Sequence, residues 1–175
     1  MSRSTIPAAL RALLAADRSA GARALRLLGA EDHPARVTCP ADASAVVRPY
    51  LAGREEEALV CAALDRRRGV VDVGVLTVGS DAFTIVDARQ VYRWALTRKR
   101  PCAAIILAHN HPSGDPTPST QDIDVTERAH RAGRVLGIPL LDHVIVVDSG
   151  AFASLAELGH LPPYVEPAVS WTGGR

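Results

Sequence analysis

The sequence predicts an α/β domain, a mixed and curved β-sheet flanked by helices, and three observations carry that prediction. Two stretches rich in valine and small apolar residues, Glu57 to Leu64 and Val70 to Val78, flank the turn Asp65-Arg66-Arg67-Arg68-Gly69 and read as a β-hairpin. A continuous apolar run, Ala103 to Ala108, reads as a strand buried on both faces at the centre of a sheet. From about Thr120 to Leu136, Val125, Ala129, Ala132 and Leu136 recur at helical spacing, and a further strand, Leu140 to Val147, follows.

Ahead of the hairpin, two short helical patterns, Ala8 to Ala16 and Ala20 to Leu28, lie within Ser4 to Gly29, and Gly29 closes the second. With the polar, proline-bearing connection Ala30 to Pro40 they make a helical lead-in over residues 1–40. A helix over Ala43 to Leu51 has Asp42 as its expected N-cap and Gly53 beyond its end. After the hairpin, Phe83 to Val86 reads as a third short strand. Ala88 to Thr97 reads as a helix with Val91, Tyr92, Ala95 and Leu96 inward and Arg89, Arg93 and Arg98 solvated. Gly137 ends the long helix, Asp148-Ser149-Gly150 turns the chain, and Ser154 with Glu157 forms a capping box for a last short helix. Prolines and glycines from about Gly159 onward oppose further regular structure, so the domain is expected over 41–160, with a loose tail over 161–175.

Composition narrows the function. With 175 residues, 47% of them hydrophobic, the chain suits one well-packed domain. A formal net charge of +1 gives no global field towards DNA or an anionic membrane. Aromatic residues, at 4%, give little surface for stacking on single-stranded bases. Cys39, Cys61 and Cys102 have no CxxC spacing, so they form neither a disulfide framework nor a zinc knuckle. No apolar run approaches a membrane span and no signal-peptide pattern opens the chain, so a cytoplasmic protein is expected. Nothing in the sequence specifies an oligomeric state.

The chemistry concentrates in the stretch that follows the central strand. In an extended chain His109 and His111 leave one face and Asn110 the other. Three prolines and Gly114 stiffen and turn the next loop, and Asp122, at the head of the long helix, can return to the same point. Two histidines and one carboxylate with an open fourth position are the donor set of a catalytic zinc site. A hydrolase also needs a general base, and candidates lie in Glu55-Glu56-Glu57, a charge run that as composition alone reads as solvated. Ser119 with Asp122 also makes an S-x-x-D capping box that needs no metal. Asp115 reads as a turn residue, and His33, His130 and His160 as solvated.

The run from His109 to Asp122 resembles the JAMM motif of the JAB/MPN metalloprotease superfamily, an upstream Glu followed by His-x-His, ten residues and Asp. The wording His109-Asn110-His111-Pro112-Ser113-Gly114-Asp115-Pro116, with Leu141-Asp142-His143-Val144-Ile145 and Gly79-Ser80, is similar to the bacterial RadC branch. The resemblance runs from about Asp42 to Leu158 and implies the MPN fold, which is cytidine-deaminase-like. The deaminases' own P-C-x-x-C is absent, because Pro101-Cys102-Ala103-Ala104 is followed by Ile105 and not by a second cysteine.

Residue by residue, the resemblance implies one zinc ion per chain on His109, His111 and Asp122, with Ser119 steadying an oxyanion. It implies Glu57 as the general base, with Glu56 as the alternative one residue away on the opposite face. Asp142-His143 could orient a metal ligand or serve as a structural or substrate-facing pair. The implied activity is hydrolysis of an amide bond in a peptide or isopeptide substrate. The alternatives are a non-catalytic accessory or DNA-repair-associated binding module, and an idle relative that binds peptide at a sheet edge. Longer RadC proteins carry an N-terminal helix-hairpin-helix region, and the lead-in here lacks its length and its glycine-bearing hairpins, so DNA is the less favoured partner.

Overall fold

A computed structural model describes residues 36–79 and 87–162. The helices expected before Gly29, the strand expected over Phe83 to Val86 and the tail beyond residue 162 lie outside the described residues. In chain order the elements are α1 (Pro40–Leu51), β1 (Ala58–Leu64), β2 (Val70–Val78), α2 (Ala88–Leu96), β3 (Ala104–Asn110), α3 (Thr120–Leu136), β4 (Leu140–Val146) and β5 (Phe152–Ser154). Among the described residues no helix is long and apolar enough to cross a membrane.

The strands form one mixed sheet in the order β2-β1-β3-β4-β5. β1 runs antiparallel to β2 and β3, β3 parallel to β4, and β4 antiparallel to β5. Parallel neighbours cannot be joined by a tight turn, so the chain crosses from β3 to β4 through α3. Irregularities at Leu59/Val60 and Ala63/Leu64 interrupt the β1–β2 ladder and bend it locally.

The period of two along each strand divides the core between two faces. Val60, Ala62, Ile106, Ala108 and Val144 pack beneath Val46, Val47 and Leu51 of α1. Leu59, Cys61, Ile105 and Leu107 pack beneath Val91 and Tyr92 of α2 and Val125 and Ala129 of α3. β1 and β3 are therefore covered on both sides, which is why their sequences are apolar throughout instead of alternating.

Several expectations are corrected. α1 begins at Pro40 with Cys39 as its N-cap, because proline's fixed φ suits the first helical position. Asp42 lies one turn in, where its carboxylate accepts the Thr38 amide at 2.8 Å and the Cys39 amide at 3.3 Å. Leu96 is exposed, since the inner face of α2 is centred between Val91, Tyr92 and Ala95. Arg98 is not simply solvated: it pairs with Asp72 at 2.9 Å and stacks over the Trp94 ring. Leu136 is exposed in the last turn of α3, and Ile138 closes that end of the core instead. His130 is buried, because the segment around Gly159 to Pro162 folds back beside it and brings Leu161 into the core. Among the described residues no helix follows Ser154: the residue ends β5, and its hydroxyl accepts the Glu157 amide while donating to Asp142.

Close packing sets a clear vulnerability. The Tyr92 hydroxyl donates to the Ala129 carbonyl at 2.9 Å where α2 meets α3. A methyl group on Gly133 would collide with that hydroxyl and come within 2.5 Å of the Ile138 carbonyl oxygen, which backbone cannot easily yield. Gly133→Ala is expected to lower stability by about 1–3 kcal/mol, read as a lower urea midpoint at unchanged m-value. An unchanged midpoint would contradict this packing.

Candidate metal centre

β3 carries its alternation to its last residue. Ile105, Leu107 and His109 face α2 and α3, and Ile106, Ala108 and Asn110 face α1. His109 is fully buried, while His111, just past the strand, is half-buried and meets solvent. The loop then turns through Gly114, whose φ of 83° favours glycine, and brings the Asp115 carbonyl back to the His111 ring. Asp115 itself acts as a turn residue, its carboxylate accepting the Thr117 amide at 2.9 Å.

α3 opens with a reciprocal cap. Ser119 is the N-cap, and its hydroxyl accepts the Asp122 amide at 3.2 Å. The Asp122 Oδ2 accepts the Ser119 amide at 2.7 Å and the Ser119 hydroxyl at 2.6 Å. Asp122 Oδ1 then lies 3.1 Å from His109 Nε2, and His111 Nε2 lies 3.5 Å from Oδ2. The two Nε2 atoms are 2.9 Å apart. One donor atom from each of the three residues falls within 4.8 Å of the others, a group able to hold a metal ion.

The electrostatics follow from burial and contact. Burial pushes the Asp122 carboxyl up, but the His109 and His111 imidazoles beside it and the Ser119 hydroxyl outweigh burial and hold the group well below the usual carboxylate range. Burial pushes the His109 imidazole down against the opposing pull of Asp122. The hydrogen bond with Asp122 pushes His111 up despite its partial burial.

The donor set fits a divalent cation. His111 Nδ1 lies 2.7 Å from the Asp115 carbonyl, an acceptor only, so the neutral ring carries its proton on that nitrogen and a lone pair on Nε2. His111 Nε2 therefore presents a lone pair to an anionic carboxylate and a second imidazole nitrogen, a convergence that a metal ion relieves and that apolar packing would not build.

Glu57 precedes β1 by one residue. Leu59 pairs with His109 across the β1–β3 ladder, so the antiparallel register, continued two residues, sets Glu57 opposite His111 on the same face. Its charge acts on both imidazoles. Glu56 is exposed and belongs to the other parity. Asn110 fixes this segment: its Oδ1 accepts the Ala58 amide at 2.9 Å, and its Nδ2 donates to the Glu56 carbonyl at 3.1 Å.

A family profile described as the RadC-like JAB domain matches residues 37–160, more than half of the chain. The chain belongs to the RadC-like JAB domain family. It is similar to a UPF0758 protein of Halalkalibacterium halodurans, 43% identical over 126 residues that cover 72% of this chain and 53% of that protein. A UPF0758 protein of Bacillus licheniformis is 43% identical over 122 residues, 70% of this chain and 53% of its own length. One of Listeria welshimeri is 42% identical over 124 residues, 71% of this chain and 54% of its own. The chain thus spans about half the length of the curated relatives it matches.

Within this RadC-like domain, Asp142 and His143 part company. The Asp142 carboxylate accepts the Ser154 hydroxyl at 2.7 Å, the His143 amide at 2.7 Å and the Ala156 amide at 3.1 Å, so it holds the end of β5 and the residues after it to β4 and not the His143 ring. Burial pushes its carboxyl above the ordinary value. The His143 ring lies on the other side, fully buried, with Nε2 at 2.9 Å from His109 Nδ1 and Nδ1 at 2.6 Å from the Thr126 hydroxyl. Neither Thr126 nor the brace from Asn110 left a signal in the sequence, since both depend on tertiary contact.

Asn110→Ala is expected to cost about 1–3 kcal/mol by stranding the buried Ala58 amide. It should also speed hydrogen exchange at Ala58 more than at amides in the middle of β1. Unaltered protection at Ala58 would contradict the brace.

Proposed function

We propose that the domain is a zinc-dependent metallopeptidase or isopeptidase, working in the cytoplasm with one zinc ion per chain. The observation that carries this reading is the convergence of His109, His111 and Asp122 opposite the Glu57 carboxylate, with His111 on the solvent side. Zinc bound there would supply Lewis acidity to a scissile carbonyl and lower the pKa of water. Glu57 takes the proton of the attacking water and passes it to the leaving amine. Ser119, whose hydroxyl now donates to Asp122, turns outward to donate to the developing oxyanion. Asn110 keeps the Glu57 segment against the end of β3 throughout. The unpaired cysteines Cys39, Cys61 and Cys102 fit a reducing compartment.

The test is a screen of peptide and isopeptide substrates with wild type beside Glu57→Gln, with zinc content measured on both. Wild type should cleave an amide bond, and the variant should lose roughly 10²–10⁴-fold in rate while keeping one zinc per chain. Wild type without stoichiometric zinc, or a variant that cleaves unchanged, would sink the proposal.

A second reading, an accessory module that acts by binding DNA, is favoured by one observation. Net charge hides a basic end: Arg66, Arg67 and Arg68 in the β1–β2 turn and Arg100 before β3 line a groove of about 1110 Å³ at the end of the sheet away from the metal centre. Its Asp65 accepts the Arg67 and Gly69 amides at 2.8 Å through Oδ1 and pairs with Arg100 at 3.4 Å through Oδ2, which leaves the three turn arginines to carry the charge. This reading predicts a salt-dependent DNA affinity that survives His109→Ala and is lost on Arg66→Glu with Arg67→Glu and Arg68→Glu. Absence of binding at low salt would remove it.

A further inference from the structure

We propose that Thr126 and His143 form a hydrogen-bond relay that presets the tautomer of His109, which makes both of them positioning residues for the metal ligand. The inference rests on the metal-centre reading above and says how that centre is prepared before any ion arrives.

The argument turns on where each proton must sit. Thr126 Oγ1 lies 2.6 Å from the Asp122 backbone carbonyl oxygen, and a carbonyl has no proton to give. Two oxygens at that separation need a proton between them, so the hydroxyl hydrogen points at Asp122. Thr126 then offers a lone pair to its other close neighbour, His143 Nδ1, also at 2.6 Å. His143 must therefore donate from Nδ1, which leaves its Nε2 as an acceptor. His109 Nδ1, at 2.9 Å, supplies the matching donor. With its one proton on Nδ1, neutral His109 presents a bare lone pair at Nε2, the atom that faces His111 and Asp122.

The chain of hydrogen bonds begins and ends at candidate metal ligands. It starts at the carbonyl of Asp122 in the first turn of α3, passes through Thr126 one turn later, crosses to His143 on β4 and finishes on His109 of β3. All four residues are buried. A solvated imidazole exchanges tautomers through water, whereas here a backbone carbonyl fixes the direction of every bond. His111 is set in the same way by the Asp115 carbonyl, so both imidazoles face the centre through Nε2.

The experiment uses the full chain and two readouts that do not depend on hydrolysis. In metal-free protein, at a pH above the titration of the rings, ¹⁵N-resolved NMR of the histidine side chains should find His109 and His143 both protonated on Nδ1. Zinc affinity by chelator competition should fall roughly 10–100-fold in Thr126→Val, which keeps the shape of the side chain and removes the hydroxyl. Thr126→Ser should restore it. His143→Leu should weaken zinc at least as much. Because that variant removes a buried ring and can fail to fold, the threonine pair and the NMR measurement carry the decision. An Nε2–H tautomer on either ring, or a folded Thr126→Val with wild-type zinc affinity, would overturn the relay. Zinc binding that responds as stated in a protein that cleaves nothing would support the relay while removing the peptidase reading. Hydrolysis with zinc affinity indifferent to Thr126 would do the reverse.

Discussion

The buried carboxylate of Asp122 is the constraint on which the rest of the centre depends. An anion withdrawn from water costs several kcal/mol unless its oxygens find donors or a cation. Asp122 meets that demand at one oxygen and turns the other to the centre: the Ser119 amide and hydroxyl satisfy Oδ2, and Oδ1 faces the point where His109 Nε2 and a metal ion would meet it. One residue therefore caps α3 and completes the donor group. The cap fixes where the helix starts, and the start of the helix fixes how far the carboxylate reaches back over the end of β3.

The surrounding fold holds the partners of that carboxylate in place. The parallel β3–β4 pair sets His143 beside His109, and the crossover through α3 sets Thr126 beside His143. On the other side, the antiparallel β1–β3 register and the Asn110 side chain carry Glu57 to the mouth of the site. Each histidine has its outer nitrogen engaged within the protein, so only the inner nitrogens converge. The core on either side of the sheet interleaves Ala and Val with Leu, Ile and Tyr, and this packing holds the helices against the strands that carry these contacts.

What the sequence made legible follows from local physics. The α3 limits could be read because Ser119, Asp122 and Gly137 are local stop and start signals, and the structure reproduces Thr120 to Leu136. His109 and His111 could be paired because a strand alternates. The Ser154 and Glu157 pattern misled because a hydroxyl that accepts an amide three residues on closes a turn as readily as it opens a helix. His130 was placed in solvent because its cover comes from the segment near Gly159, far along the chain. Asp142-His143 was visible as a pair, but the division of its two side chains between opposite sides of β4 was not. Thr126 was invisible because a threonine one turn into a helix looks like any other until β4 is packed against it.

The central claim is that two imidazole nitrogens and the Asp122 carboxylate bind one metal ion. X-ray absorption at the zinc edge of the zinc-loaded protein tests it most directly. The account predicts two imidazole nitrogens with oxygen completing the shell, at about 2.0–2.2 Å and without sulfur. A sulfur shell near 2.3 Å, or zinc with no imidazole scattering, would contradict it.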